Sequence, residues 1–177
     1  PIAAAGVLAI AAALAYTGGQ LPFGYLGLGE VGVFVFFGVV AVCGTYFVQA
    51  RGVSFEVFAA SLAVGALASA ILVVNNLRDI DTDRTAGKRT LAVRFGRRAA
   101  RVEYAALLAF AYGIPIALVL GGVSSAAALA PLVSLPWAVL LVLDVMRARG
   151  DALNPLLAST AKLELAFCAL FALGLAA

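Results

Sequence analysis

An all-α, polytopic transmembrane helix bundle is the fold class this sequence predicts, and three observations lead there. Hydrophobic residues make up 64% of the 177 and charged residues only 12%, with a mean hydropathy of +1.09. Soluble domains lie nearer half apolar and a quarter charged, so the balance is that of an integral membrane protein. The apolar residues fall into runs close to the roughly 20 that a helix needs to cross a hydrocarbon core. These runs are rich in Ala, Leu, Val and Gly and lack period-2 alternation, which argues against a β-barrel.

Six spans follow in order. Residues 1–16 form a short first span. The chain starts with Pro, without a basic leader or a convincing cleavage site, so this is not read as a signal peptide. The expectation is instead that native sequence precedes Pro1 and that the chain is the C-terminal part of a longer, single-domain protein. Residues 31–50 are the second span, entered through Glu30, whose carboxylate is favoured at a helix N-terminus. The third, 55–76, runs directly into a polar island. The fourth, 101–121, ends at Gly121-Gly122, and Ser124 or Ser125 can cap the fifth, 125–146. Asn154-Pro155 reads as an N-cap with Pro at the first helical position, ahead of the sixth span, 157–177. Lys162 and Glu164 near its start are placed to snorkel to the interface. Pro115, Pro131 and Pro136 lie within spans and should kink them.

Charge gives the orientation. If the spans alternate, loops 17–30, 77–100 and 147–156 share one side. That side collects Arg78, Arg84, Lys88, Arg89, Arg94, Arg97, Arg98, Arg101, Arg147 and Arg149, with Lys162 nearby, against Arg51 alone on the other. The asymmetry puts the island on the cytoplasmic side of a cell membrane. Arg97, Arg98 and Arg101 suit anionic headgroups, so membrane lipids rather than nucleic acid are the expected surface partners. Cys43 and Cys168 fall inside spans and read as packing. The chain has no His, which removes the usual zinc and general-base arrangements. No repeat, linker or second domain is visible.

The island, Asn75 to Thr90, carries the chemistry. Asp79 and Asp83 stand four residues apart, neighbours on one helical face at about 6 Å. Asn76 lies one turn earlier and Asn75 is within reach, whereas Asp81 points elsewhere and is solvated. Mg²⁺ prefers oxygen ligands and typically takes one or two carboxylates together with substrate phosphates, which these residues suit. Gly87 lets the chain turn, so that Lys88 and Arg89 can fold back towards phosphate oxygens. Arg78 and Arg84 flank the pair. A solvated loop of mixed charge with no ligand is the plainer alternative.

The segment Asn75 to Gly96, NNLRDIDTDRTAGKRTLAVRFG, closely resembles the second aspartate-rich motif of the UbiA superfamily of intramembrane prenyltransferases. Within that superfamily it looks most like the polyprenyltransferases that act on 1,4-dihydroxy-2-naphthoate in menaquinone synthesis. Tyr25-Leu26-Gly27-Leu28-Gly29-Glu30, the run Val33 to Gly38, and Leu153-Asn154-Pro155 are similar to the family as well. The resemblance implies a nine-helix bundle with two aspartate-rich motifs, of which this chain would carry about six helices and the second motif. The missing N-terminal helices would be needed for a complete site.

It also implies a reaction. A polyprenyl diphosphate ionises with Mg²⁺ as cofactor, and the naphthoate ring captures the allylic cation. Diphosphate and CO₂ leave, giving demethylmenaquinone. By this likeness Asp79 and Asp83 hold the metal, Asn76 assists them, and Arg78, Lys88 and Arg89 bind diphosphate. Asn75, Tyr25, Glu30 and Tyr104 are expected to line the substrate pocket. Tyr46, Tyr104 and Tyr112 offer rings that could stabilise a cation, although packing explains each as well. Hydroxybenzoate, homogentisate or haem as acceptor would share the metal chemistry. A transporter would need charges deeper in the bundle, and a purely structural subunit would leave the island unexplained.

Overall fold

A computed structural model of the chain describes residues 2–18 and 23–177. Pro1, where the first expected span begins, and positions 19–22 of the expected 17–30 loop lie outside the described residues. The regular secondary structure of the described residues is all helical, without strands. The helices are α1 (Ile2–Thr17), α2 (Gly29–Ala50), α3 (Phe55–Arg78), α4 (Ile80–Thr85), α5 (Leu91–Leu120), α6 (Ala126–Arg147) and α7 (Gly150–Ala176). Five of them, α2, α3, α5, α6 and α7, are long and apolar enough to cross a membrane. With 16 residues, α1 reaches only about 24 Å at 1.5 Å per residue. The six expected spans are therefore six apolar helices, five of them at full length.

The centre of the bundle is α3. Ser54 opens it, its Oγ accepting from the Val57 N–H at 3.3 Å, an N-cap that satisfies one of the free donors of the first turn. Ala59, Ala63, Ala66 and Ala70 are buried along it, and such small residues let helices approach closely where no hydrophobic force separates lipid from protein. At the closest crossing, a Cβ placed on Gly38 of α2 would stand 2.5 Å from Gly65 Cα and 2.7 Å from Ser61 O. Around this crossing α2 widens into π-helical turns over Phe34–Val40. At the far side, Gly174 of α7 lies against the Ala127 backbone at the start of α6. Polar ties inside the bundle are few and satisfied: Tyr104 Oη with Thr160 Oγ1 at 3.0 Å and Tyr112 Oη with Ser134 Oγ at 2.6 Å.

Several boundaries differ from expectation. The helix containing the fourth span starts at Leu91 rather than near 101, because Thr90 caps it: its side chain accepts from Val93 N–H at 3.3 Å. The real break in this helix is Gly96 (φ 82°, ψ 173°), while Pro115 is passed without a departure from helical angles. Pro131 sits in a 3₁₀ stretch, Ala126–Ser134, that opens α6, and Pro136 begins the α-helical part, where a missing N–H costs nothing. Asn154 is not the N-cap of α7; its backbone is already helical after the 3₁₀ turn Gly150–Leu153. Ser124 ties the opposite end of the bundle together by donating to Glu56 Oε1 at 2.8 Å.

The loops expected to share a side do meet. Arg89 N–H donates to Tyr25 O at 2.7 Å, and Arg78 Nη1 donates to Asn154 Oδ1 at 2.9 Å. Two arginines expected to face lipid headgroups are engaged in the protein instead. Arg97 reaches Asp81 Oδ2 at 2.6 Å and Leu77 O at 3.3 Å. Arg101 donates to Val145 O at 3.2 Å and Ala148 O at 2.9 Å, satisfying carbonyls left open at the end of α6. Arg98 is exposed.

Candidate functional site

The last turn of α3 carries Asn75 and Asn76 to the end of the bundle, and the backbone bends at Asp79 (φ −91°, ψ 8°) before α4. Hydrogen bonds nevertheless bridge the bend, from Asp79 N–H to Asn75 O at 3.0 Å and from Asp83 N–H to Asp79 O at 2.8 Å. The four-residue spacing of the two carboxylates is thus held by near-helical backbone.

Each carboxylate has its own cation. Arg78 grips Asp79 as a fork, Nε to Oδ1 and Nη2 to Oδ2, both at 2.7 Å. The same guanidinium donates to Asn75 Oδ1 at 2.7 Å and, as above, to Asn154. The hydrogen bond from Arg78 holds the Asp79 carboxyl below its ordinary range, as expected when the charged form gains a bidentate donor. Asp83 is buried, and Lys88 Nζ stands 2.8 Å from its Oδ1. Gly87, at φ 75°, makes that return possible, since only glycine adopts such an angle without strain. Lys88 N–H also bonds Asp83 O at 2.9 Å. The hydrogen bond to Asp83 raises the Lys88 ammonium above its ordinary value, and the Tyr25 ring covers it with its centroid 5.0 Å from Nζ.

Glu30 enters from the first turn of α2. It is 6% exposed, and its Oε1 accepts from Asn76 Nδ2 at 2.7 Å. Ser69 Oγ fixes the Glu30 backbone carbonyl at 3.0 Å. Glu30 Oε2 is buried and has no hydrogen-bond partner among the described residues.

Of the residues singled out from sequence, Tyr25, Glu30, Asn75, Asn76, Arg78, Asp79, Asp83 and Lys88 come together in this cluster. Arg89 contributes its backbone to Tyr25 while the residue as a whole is exposed. Tyr104 does not join: it has no exposed surface and its hydroxyl is used by Thr160, which makes it a tie between α5 and α7. Tyr112 is likewise in the core, edge-on to Phe167 at 5.0 Å, and Tyr46 is exposed. Asp81 is exposed and paired with Arg97, with Arg84 at 4.0 Å.

Sequence reasoning missed two contributors. Asn154 was assigned to a cap, and only the fold shows it accepting from Arg78. Tyr16 ends α1 with its hydroxyl close to Gly29: a Cβ there would lie 3.1 Å from it. An aromatic residue closing an apolar span was the available signal. From Tyr16 an apolar groove of about 590 Å³ extends between α1 and α2, lined by Ala12, Gly32, Val33, Phe36 and Phe37 among others.

The donors present are all oxygens: the Asp79 and Asp83 carboxylates, the buried carboxylate of Glu30, and amide carbonyls. Among the described residues no group of three or more His, Cys, Asp or Glu could hold a metal. Such a set fits a hard divalent cation shared with phosphate oxygens and does not fit a protein-only cage.

Fold and site together define a multi-pass membrane protein with a mixed-charge site at one end of its bundle and an apolar groove that opens beside Tyr16. Residues 1–176 match the UbiA prenyltransferase family, and the chain belongs to that family. It is 54% identical over 108 residues to the 1,4-dihydroxy-2-naphthoate octaprenyltransferase of Mycobacterium tuberculosis, covering 61% of this chain and 37% of that protein. It is 49% identical over 106 residues to the protein of the same name from Haemophilus influenzae, covering 60% and 34%. The mouse UbiA prenyltransferase domain-containing protein 1 is 35% identical over 150 residues, covering 85% and 43%. The chain spans about a third to under a half of the length of these relatives.

Proposed function

We propose that this chain is the C-terminal part of an intramembrane transferase that moves a polyprenyl group from its diphosphate to 1,4-dihydroxy-2-naphthoate. One observation carries the reading: Asp79 and Asp83, each held by a cation, stand where an apolar bundle ends and beside a groove that suits an isoprenoid tail. The acceptor is drawn from the relatives named for naphthoate. The activity belongs to the longer polypeptide, whose upstream helices and first aspartate-rich motif complete the site. The basic excess on this end of the bundle supports a cytoplasmic position at the cell membrane for it.

Asp79, Asp83 and the carbonyl oxygen of Asn76 would hold Mg²⁺, which when bound supplies positive charge to the departing diphosphate. The chain's own groups do the rest. Lys88, steadied by the Tyr25 ring, and Arg78 offer donors to phosphate oxygens, with Arg89 exposed on the same turn as a further cation. Walls of Gly32, Val33 and Phe36 keep water from the allylic cation. The ring carbon that bonds the prenyl group sheds its carboxyl as CO₂, aromaticity returns, and the immediate product is the prenylated naphthohydroquinone. Its oxidation gives demethylmenaquinone.

The test is to supply the complete polypeptide in membranes with a polyprenyl diphosphate, Mg²⁺ and competing acceptors: naphthoate, 4-hydroxybenzoate and homogentisate. Prenylated naphthohydroquinone is the expected main product. Prenylation of another acceptor in its place would refute the assignment.

A further inference from the structure

Two adjacent asparagines end α3, and their amides are committed differently. Asn75 Oδ1 accepts from Arg78 Nη2 at 2.7 Å. Asn76 instead gives its nitrogen to Glu30 Oε1 at 2.7 Å, and among the described residues no donor reaches its carbonyl oxygen. With its nitrogen given to Glu30 Oε1, the Asn76 amide leaves its carbonyl oxygen for another partner. Asn76 stands three residues before Asp79 and seven before Asp83, a spacing that shares one helical face.

We infer that Glu30 is a positioning residue: by holding the Asn76 amide nitrogen, it turns Asn76 Oδ1 to the Asp79–Asp83 site as a fixed oxygen ligand. The inference rests on the metal-and-diphosphate reading above. Three further observations support it. Glu30 is 6% exposed, a burial that carboxylates rarely reach unless a specific bond requires it. It uses one oxygen on Asn76 and leaves Oε2 buried without a partner among the described residues, so packing alone does not account for a carboxylate here. Its backbone is itself anchored by Ser69, which fixes the height of the carboxylate against α3. Outer groups that orient a ligand typically change metal affinity by about 10–100-fold when removed.

The test compares two neutral replacements, so that lost charge is common to both. Glu30→Gln can still accept from Asn76 Nδ2 through its own carbonyl, whereas Glu30→Leu fills similar volume with no acceptor. Complete polypeptides purified in detergent are titrated with Mn²⁺ in the presence of inorganic diphosphate, and free Mn²⁺ is read by electron paramagnetic resonance. Glu30→Gln should bind Mn²⁺ about tenfold or more tightly than Glu30→Leu, and the difference should vanish in an Asn76→Ala background. Equal affinities for the Gln and Leu variants, or a difference that persists without Asn76, would overturn the inference alone. A wild type that binds no Mn²⁺ with diphosphate would overturn the metal reading and this inference with it. Should Glu30→Leu fail to fold, Glu30→Ala carries the same expectation.

Discussion

Asp83 is the most constrained charge at the site. Its side chain is 7% exposed and its one ion-pair partner among the described residues, Lys88, is 31% exposed. Removing the lysine strands a buried carboxylate, whereas removing both partners removes the problem. Lys88→Met should therefore destabilise the protein by about 2 kcal/mol, less than the 3–5 typical of a fully buried pair because water screens the lysine. Denaturant unfolding in micelles measures this, and Lys88→Met combined with Asp83→Leu should recover most of the loss. The Arg78–Asp79 fork sets a pH dependence. Asp79 is held below 3.8, so its contribution is present above that pH and fades as acid takes it through its folded value. Lys88 is held above 10.5, so its contribution is present below that pH and fades in stronger base. The stability gap between wild type and Asp79→Asn should stay constant through neutral pH and close in acid. A gap that widened on acidification would contradict the assignment of the fork. These residues were legible in the sequence because spacing alone places Asp79, Asp83, Gly87 and Lys88 together. Their pairing was not, since a carboxylate read as a metal ligand gives no hint that Arg78 already holds it. Tyr104 shows the converse failure: a tyrosine near the polar end of a span looks the same whether it lines a cavity or locks two helices.

At the level of elements, hydropathy located the five helices long enough to cross a membrane and the shorter α1, because length and apolarity are local properties. Boundaries and kinks were less legible because they depend on neighbours. Proline was the expected source of bends, yet Pro136 starts a helix and the break in α5 falls at Gly96, whose angles (φ 82°, ψ 173°) are essentially confined to glycine. The α2–α3 crossing was invisible in sequence, since a glycine in an apolar run carries no mark of what faces it. That crossing yields a sharp expectation. Gly38→Ala puts a methyl group 2.5 Å from Gly65 Cα, backbone that cannot rotate away. It should cost about 1–3 kcal/mol by overpacking, and, by shifting α2, loosen Glu30 from Asn76. Gly113→Ala, where a Cβ meets nothing within 4 Å, is the control and should be neutral or slightly stabilising. Thermal melts of the two variants decide it; equal melting temperatures would mean that the close crossing does not bear on stability.

Across the whole molecule, charge and apolarity are sorted to opposite purposes. One end gathers the loops after α1, α3 and α6, cross-linked by Arg89 to Tyr25 and Arg78 to Asn154. The middle is aliphatic and aromatic, and an apolar groove lies between α1 and α2. Such a layout suits an amphiphile with an anionic head, the class of donor proposed above. The most direct test is prenyl transfer to naphthoate by the complete polypeptide, with and without Mg²⁺, in wild type, Asp79→Asn and Asp83→Asn. The account predicts metal-dependent product that falls by at least about a hundredfold in both variants, the scale on which removing key electrostatic stabilisation acts. Undiminished, metal-independent transfer by either variant would contradict it.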